Sequence, residues 1–198
     1  MAEVKPINAV FGPADFILNK GKENEIRFDG KNKLQNEGGE INLEPQFAPI
    51  TSVDMGGGEY DDIFTHFVGT ITISGFSDDL ETFNLALGGL QEVVGDDGEV
   101  LGYSDAPVGA SNRERGGTLD IAPRGLMEQN SGEHIHIYKA ASTASFNRAY
   151  GNEQGQIAIE LKIYPKDGAD FAKGDNFFRR GSDSIMPWAE GSSEGSSD

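Results

Sequence analysis

Three histidines, His66, His134 and His136, are the only imidazoles in the chain. His134 and His136 stand two residues apart in an alternating segment, so on a strand both rings project from one face, a geometry that some metal sites use. A third ligand would have to come from elsewhere. Jelly-roll enzymes with a His-x-His motif follow it with a Glu a few residues later, and here Ala140 and Ala141 occupy that place. The pair therefore reads as part of a solvated strand face, and no metal is expected. Gly95-Asp96-Asp97-Gly98-Glu99 has the flavour of a calcium loop but lacks its alternate-position oxygen ligands, and reads as an acidic turn. The chain has no cysteine, so thiolate nucleophiles, thiolate metal sites and disulfides are excluded. It has no Gly-x-Ser-x-Gly elbow, and Gly56-Gly57-Gly58 is followed by acids that would repel a phosphate. We expect no catalytic residues, no cofactor and no enzyme activity.

Charge is more informative than any of these motifs. Between Leu34 and Asn112 there is no Lys or Arg in 79 residues, while fifteen carboxylates bring −15 of the chain's net −17. Affinity for the phosphate backbone is built from Lys and Arg, so this chain should repel DNA and anionic membrane surfaces. No window approaches the roughly 18 apolar residues of a membrane span, and the opening MAEVKPINAVF lacks an apolar run behind a basic start. A soluble protein is expected, with its redox compartment left open.

The elements that must position these groups read mainly as strands. Period-two alternation is clearest from Gln156 to Tyr164, where Ile157, Ile159, Leu161 and Ile163 point one way. It recurs at His134–Tyr138, at Phe67–Ser74 and at Glu40–Phe47. Shorter candidates are Asp15–Leu18, Glu25–Phe28, Thr51–Met55 and Thr118–Ile121, about eight strands in all. One helix is expected over about 77–89: Ser77 is a good N-cap, Asp78, Asp79 and Glu81 suit the positive end of the dipole, and Gly88-Gly89 should stop it. Strands, one helix, then strands favour an antiparallel two-sheet β-sandwich or barrel with one flanking helix. Gly56–Asp62 reads as a flexible tip, Gly95–Asn112 as a long acidic connection, and the stretch beyond Lys166 as an extension ending in GSSEGSSD. Within it Asn176–Arg180 is an aromatic and basic patch suited to docking. The resulting division is an arm over 1–12, a β domain over 13–166 with a long hairpin loop at 54–63, and an extension over 167–198.

The acidic block coincides with strands. Glu40, Asn42, Glu44 and Gln46 share the polar face of one, and Thr70, Thr72 and Ser74 share that of another. If identical subunits closed into a ring with these faces inward, the channel would be polar, acidic and poor in Lys and Arg, and DNA would pass without sticking.

In overall plan and local texture, from about Asn8 to Lys166, the chain resembles the major tail tube proteins of long-tailed bacteriophages. The resemblance rests on Phe11-Gly12-Pro13-Ala14-Asp15 before a first strand and on a long hairpin over Gln46–Phe76. It rests also on the capped helix from Ser77, on Glu133–Ala141 and on a final strand over Gly155–Tyr164. It implies a two-sheet β-sandwich assembling into hexameric rings that stack into a tube within the virion tail, built in the host cytoplasm. One sheet of each subunit would join its neighbours' sheets in the wall of an inner barrel, and DNA would cross the lumen without specific binding. The hairpin tip, Asp54, Met55, Gly56, Gly57, Gly58, Glu59, Tyr60, Asp61 and Asp62, would reach the next ring. Partners would be further copies of the chain and other tail proteins such as the tip, terminator and tape measure. Alternatives are a tube subunit of a contractile injection or secretion apparatus, with a less consistently acidic lumen, a trimeric capsid decoration protein, and a jelly-roll metal-binding enzyme.

Overall fold

The computed structural model describes residues 12–75, 79–124, 132–148, 156–182 and 185–187. Its elements are β1 (Ala14–Leu18), β2 (Ile26–Phe28), β3 (Gln35–Thr51), a 3-10 turn (Val53–Met55), β4 (Glu59–Gly75) and α1 (Leu80–Ala86). These are followed by β5 (Leu90–Val94), β6 (Val100–Asp105), β7 (Gly117–Pro123), β8 (His134–Ser142), β9 (Ile157–Ile163) and β10 (Phe178–Gly181). Among the described residues the protein is mainly β, with one α-helix, α1, and antiparallel sheets, as expected. One large sheet runs in the order β2-β1-β7-β8-β9-β4-β3 with β10 attached to β8, and β5-β6 form a small second sheet. The large sheet does not close into a barrel.

The strand β8 explains how one sheet makes two layers. One of its edges pairs with β7. The other is divided, with His134–Ile137 taken by β10 and Ala140–Ser142 by β9. The sheet folds over at this fork, because its two flanks share one apolar cluster. Phe16, Leu18, Phe28, Leu119, Ile121 and Ile137 come from one flank and Ile71, Ile73, Ile157, Ile159, Leu161 and Ile163 from the other. Along β9 the alternation is complete, with Ile157, Ile159, Leu161 and Ile163 buried and Ala158, Glu160 and Lys162 exposed. Burying such an Ile contributes roughly 2 kcal/mol. At one end the flanks nearly meet: a Cβ on Gly39 would stand 2.5 Å from the ring tip of Phe16, so only glycine lets β3 come this close to β1. The Gln35 side chain ties the same seam, donating to the carbonyls of Ala14 (2.8 Å) and Phe28.

The helix is shorter than its sequence suggests. It begins at Leu80 with Asp79 as the cap, whose carboxylate accepts from the Thr82 N–H at 2.8 Å and also holds the Lys33 ammonium. Ser77, expected as the cap, lies outside the described residues. Leu87 is already extended, and Leu90 begins β5. Three other expectations are corrected. Thr51–Met55 is not a strand, since only Thr51 belongs to β3 and a 3-10 turn follows. The span 95–112 is no long loop: Val100–Asp105 pairs with Leu90–Val94. Beyond Lys166, β10 completes the sheet, and Phe177 and Phe178 from the aromatic and basic patch pack on the core cluster. Among the described residues there are ten strands where about eight were expected.

Candidate functional site

The seven polar residues singled out from the sequence lie on one face of the β3–β4 ladder. Glu40 stands opposite Thr72, Asn42 opposite Thr70, and Ser74 opposite Gly38, while Glu44 faces Val68 and Gln46 faces His66. The Asn42 amide donates to the Glu44 carboxylate at 2.9 Å. The next strand extends these rows, placing Glu160 beside Thr72, Lys162 beside Thr70 and Ala158 beside Ser74. The face therefore carries Glu40, Glu44 and Glu160 against one cation, Lys162. Period-two alternation already put Glu160 and Lys162 on the polar side of their strand, but the adjacency of β9 to β4 has no local signature. This pairing brings a lysine from outside the basic-free block onto the acidic face.

The hairpin changes character along its length. Up to about Phe67 the inward residues are covered, with Gly69, Ile71 and Ile73 buried. Beyond it, both faces of the hairpin are exposed. Phe47, Ile50, Val53, Met55, Tyr60, Ile63 and Phe64 all stand in solvent, Val53 at 92% exposure. Phe47 and Phe64 pack edge to face at 5.9 Å, and Phe64 in turn meets Phe67 at 5.0 Å, so an aromatic ladder stiffens the stem. Each strand has 17 residues, which spans about 56 Å, and nearly half of it projects beyond the core.

At the tip, the Gly56 and Gly57 backbones adopt positive φ of 68° and 81°, and the Ser52 N–H closes the loop on the Gly58 carbonyl at 3.2 Å. Of the nine residues assigned to the tip, Asp54–Gly58 form the turn. Glu59, Tyr60, Asp61 and Asp62 do not: they already belong to β4, with Glu59 opposite Thr51 and Asp62 opposite Pro49. The hydrogen bond that Glu59 shares with Asp62 pushes the Glu59 carboxyl above its usual value. Among the described residues the outer edge of β3 pairs with no other strand, and Pro45 and Pro49 remove two N–H donors from β3.

The two strand histidines are not a solvated pair. His136 is 5% exposed, and its Nδ1 lies 2.7 Å from the carboxylate of Asp120, itself 4% exposed and directly opposite on β7. Its ring meets that of Tyr138 edge to face at 5.1 Å. His134 shares the face and is half-buried. Among the described residues, no group of three or more His, Asp or Glu side chains is arranged to hold a metal. Ala140 and Ala141, in the place of a jelly-roll carboxylate ligand, are both buried. The Gly95–Glu99 segment is the turn of the β5–β6 hairpin, where the Gly95 N–H donates to the Glu99 carbonyl at 2.8 Å and Asp97 accepts the Glu99 N–H at 3.2 Å. Among the described residues no helix is long and apolar enough to cross a membrane.

What this surface can do chemically is associate: it offers apolar side chains on a stiff projection, an open strand edge, and a polar face of net negative charge. No protein-family model matches the chain, and no curated protein matches it.

Proposed function

We propose that this chain is the structural subunit of a bacteriophage tail tube, assembling into hexameric rings that stack into a hollow tube through which DNA leaves the virion. The observation that carries this reading is the β3–β4 hairpin. Monomeric proteins rarely expose large contiguous apolar patches, yet seven large apolar residues stand exposed on this one projection, which a subunit at home in an assembly would cover. The outer edge of β3 before Pro45, unpaired among the described residues, supports it too, since an unpaired strand invites pairing with a neighbour and ring closure removes such edges. The face bearing Glu40, Asn42, Glu44, Gln46, Thr70, Thr72 and Ser74 would line the channel, and its excess of carboxylates would keep DNA from adhering. Catalysis has no part in this reading.

A second reading, a tube subunit of a contractile injection or secretion apparatus that conducts protein, is favoured by one observation: Lys162 interrupts the acidic face beside Thr70. Electron microscopy of the purified chain at high concentration, in low and in moderate salt, tests assembly itself. Six-fold rings or hollow tubes are the expected result, and a monodisperse monomer or trimer under all conditions would overturn both tube readings. Tubes in which Glu40 and Glu44 are changed to Lys then separate the cargoes. Genome delivery should fail in assembled particles if DNA is conducted, and undiminished infectivity would refute the DNA-repelling channel.

A further inference from the structure

The exposed apolar residues of the outer hairpin stand among charges of one sign. Between Phe47 and Phe64 there are four carboxylates, Asp54, Glu59, Asp61 and Asp62, and no Lys or Arg. Glu59 and Asp62 crowd against one another, sharing a hydrogen bond that pushes the Glu59 carboxyl up. The projection is therefore both apolar and negative. From Phe67 out to Glu59 it is eight residues of paired strand, about 26 Å, with rungs running from Pro45–Phe67 to Thr51–Glu59.

The same chain carries a surface of the opposite sign at the foot of the stem. There the segment after β9 folds back beside the hairpin, where the Lys166 N–H donates to the Asn176 carbonyl at 2.7 Å and closes a loop over residues 167–175. Phe177 and Phe178 meet Phe67 at 6.3 and 5.1 Å, and Phe171, 63% exposed, stands edge to face on Phe177 at 6.3 Å. The row of rings that stiffens the stem thus ends in a phenylalanine left in solvent. Around it Arg113, Lys139, Lys166 and Lys173 share three carboxylates, Asp167, Asp170 and Asp175, with Arg113 and Lys139 both on Asp167, so cations are in excess. Lys173 has a side chain 83% exposed. Within one chain the two surfaces cannot satisfy each other, because the paired ladder holds the tip away from its own foot. A second copy brings them together, and complementary potentials of this kind steer association and fix its register.

We propose that the outer hairpin of one copy lies across the foot of its neighbour, its apolar side chains covering Phe171 and its carboxylates facing the cations around that ring. The contact is heterologous, since every copy gives a hairpin and receives one, and contacts of this type repeat head to tail until a ring closes or a filament runs on. The proposal rests on the tube reading in taking the partner to be a second copy of the chain, and it adds the surface that receives the hairpin.

Two full-length variants test it. One carries Asp61→Lys with Asp62→Lys on the hairpin, and the other carries Phe171→Ser with Lys173→Glu at the foot. All four positions are exposed, so each variant should keep the thermal unfolding of the parent. In sedimentation, at concentrations where the parent associates, each variant should stay monomeric, and association of the parent should weaken as salt is raised. Mixed, the two should form a 1:1 heterodimer that grows no further, because each pair holds one intact hairpin and one intact foot. Parent-like association of either variant, or two monomeric variants that stay monomeric on mixing, would overturn the proposal and leave the tube reading standing. A parent that is monomeric under every condition would overturn both. The chain has no cysteine, which gives a second readout free of charge changes. Under mild oxidation, Ile63→Cys and Phe171→Cys chains should cross-link to each other in preference to themselves, and a preference for Ile63→Cys homodimers would overturn the contact.

Discussion

The inner and outer halves of the β3–β4 hairpin are built from the same two strands by the same ladder, yet they are different surfaces. In the inner half, Ile71 and Ile73 are buried under the opposite flank of the sheet, and the polar residues between them face out. In the outer half the apolar residues continue, but among the described residues no second layer lies over them, and Phe47, Ile50, Ile63 and Phe64 are left in solvent. Strand sequence thus encodes pairing in both halves and burial in only one. Apolar residues without a layer to cover them point to another molecule.

This comparison can be broken or sharpened by substitution. The largest effect is expected from excising the outer half. Phe47 and Phe64 are cross-strand partners, so residues 48–63 can be replaced by an Asn-Gly turn that joins them. The shortened chain should keep its denaturant stability to within about 1 kcal/mol, as surface changes generally do, while losing all concentration-dependent assembly in sedimentation. Retained assembly would show that the outer half is not the contact. Next, Ile71→Ala in the inner half should cost about 3 kcal/mol in chemical denaturation, whereas Val53→Ala at the tip should cost less than about 0.5 kcal/mol. Gly39→Val should cost about 1–3 kcal/mol, because its side chain would drive Phe16 off its rotamer and press on the Thr72 carbonyl. Asp79→Ala removes the cap of α1 and should cost about 1 kcal/mol.

The smallest effect is one of pH. Burial pushes Asp79 up, but the Lys33 ammonium and the Thr82 N–H outweigh it and hold its carboxyl below the usual value. Burial likewise pushes Asp175 up, and hydrogen bonds from Arg179 and Tyr138 bring it down. With the folded-state value depressed, each contributes stability that is present above the unfolded value of about 3.9 and lost as the pH falls through the folded one. Both side chains are more than a third exposed, so solvent screening keeps the effect modest. Acid titration of the Asp79→Ala variant should show a shallower loss of stability below about pH 4 than the parent chain. An identical profile would remove Asp79 from this account.

Where structure is set by alternation, the sequence was readable. The four apolar residues of β9 and the polar stripe of β3 could be assigned without coordinates, because a period of two has only one way to sit on a buried layer. The helix was readable in place and not in extent. Ser77 is the cap its sequence suggests, with Asp79 only a charge near the dipole, and the role that Asp79 takes instead is reinforced by Lys33, which lies 46 residues away. Its early end reflects close packing, since a Cβ on Gly88 would stand 2.7 Å from the Ser142 carbonyl. The β5–β6 hairpin was hidden by its acidic turn, although Val93-Val94 and Val100-Leu101 flank that turn as paired strands would. Neither β10 nor the Asp120–His136 pair had a local signal, because each exists only through the register of β8 with distant strands. For the candidate surface, the residues were legible and their neighbours were not: nothing near Lys162 in the chain announces Thr70.

The order β8-β9-β4-β3 also determines how the molecule bears force. Backbone bonds in these ladders lie across the strands, so a pull on the hairpin tip along its own length draws β3 and β4 together and loads the whole ladder between β4 and β9 at once, in shear. A pull across it would unzip the rungs one at a time. The projection is therefore a strut, strong along the one direction in which its exposed tip could be gripped.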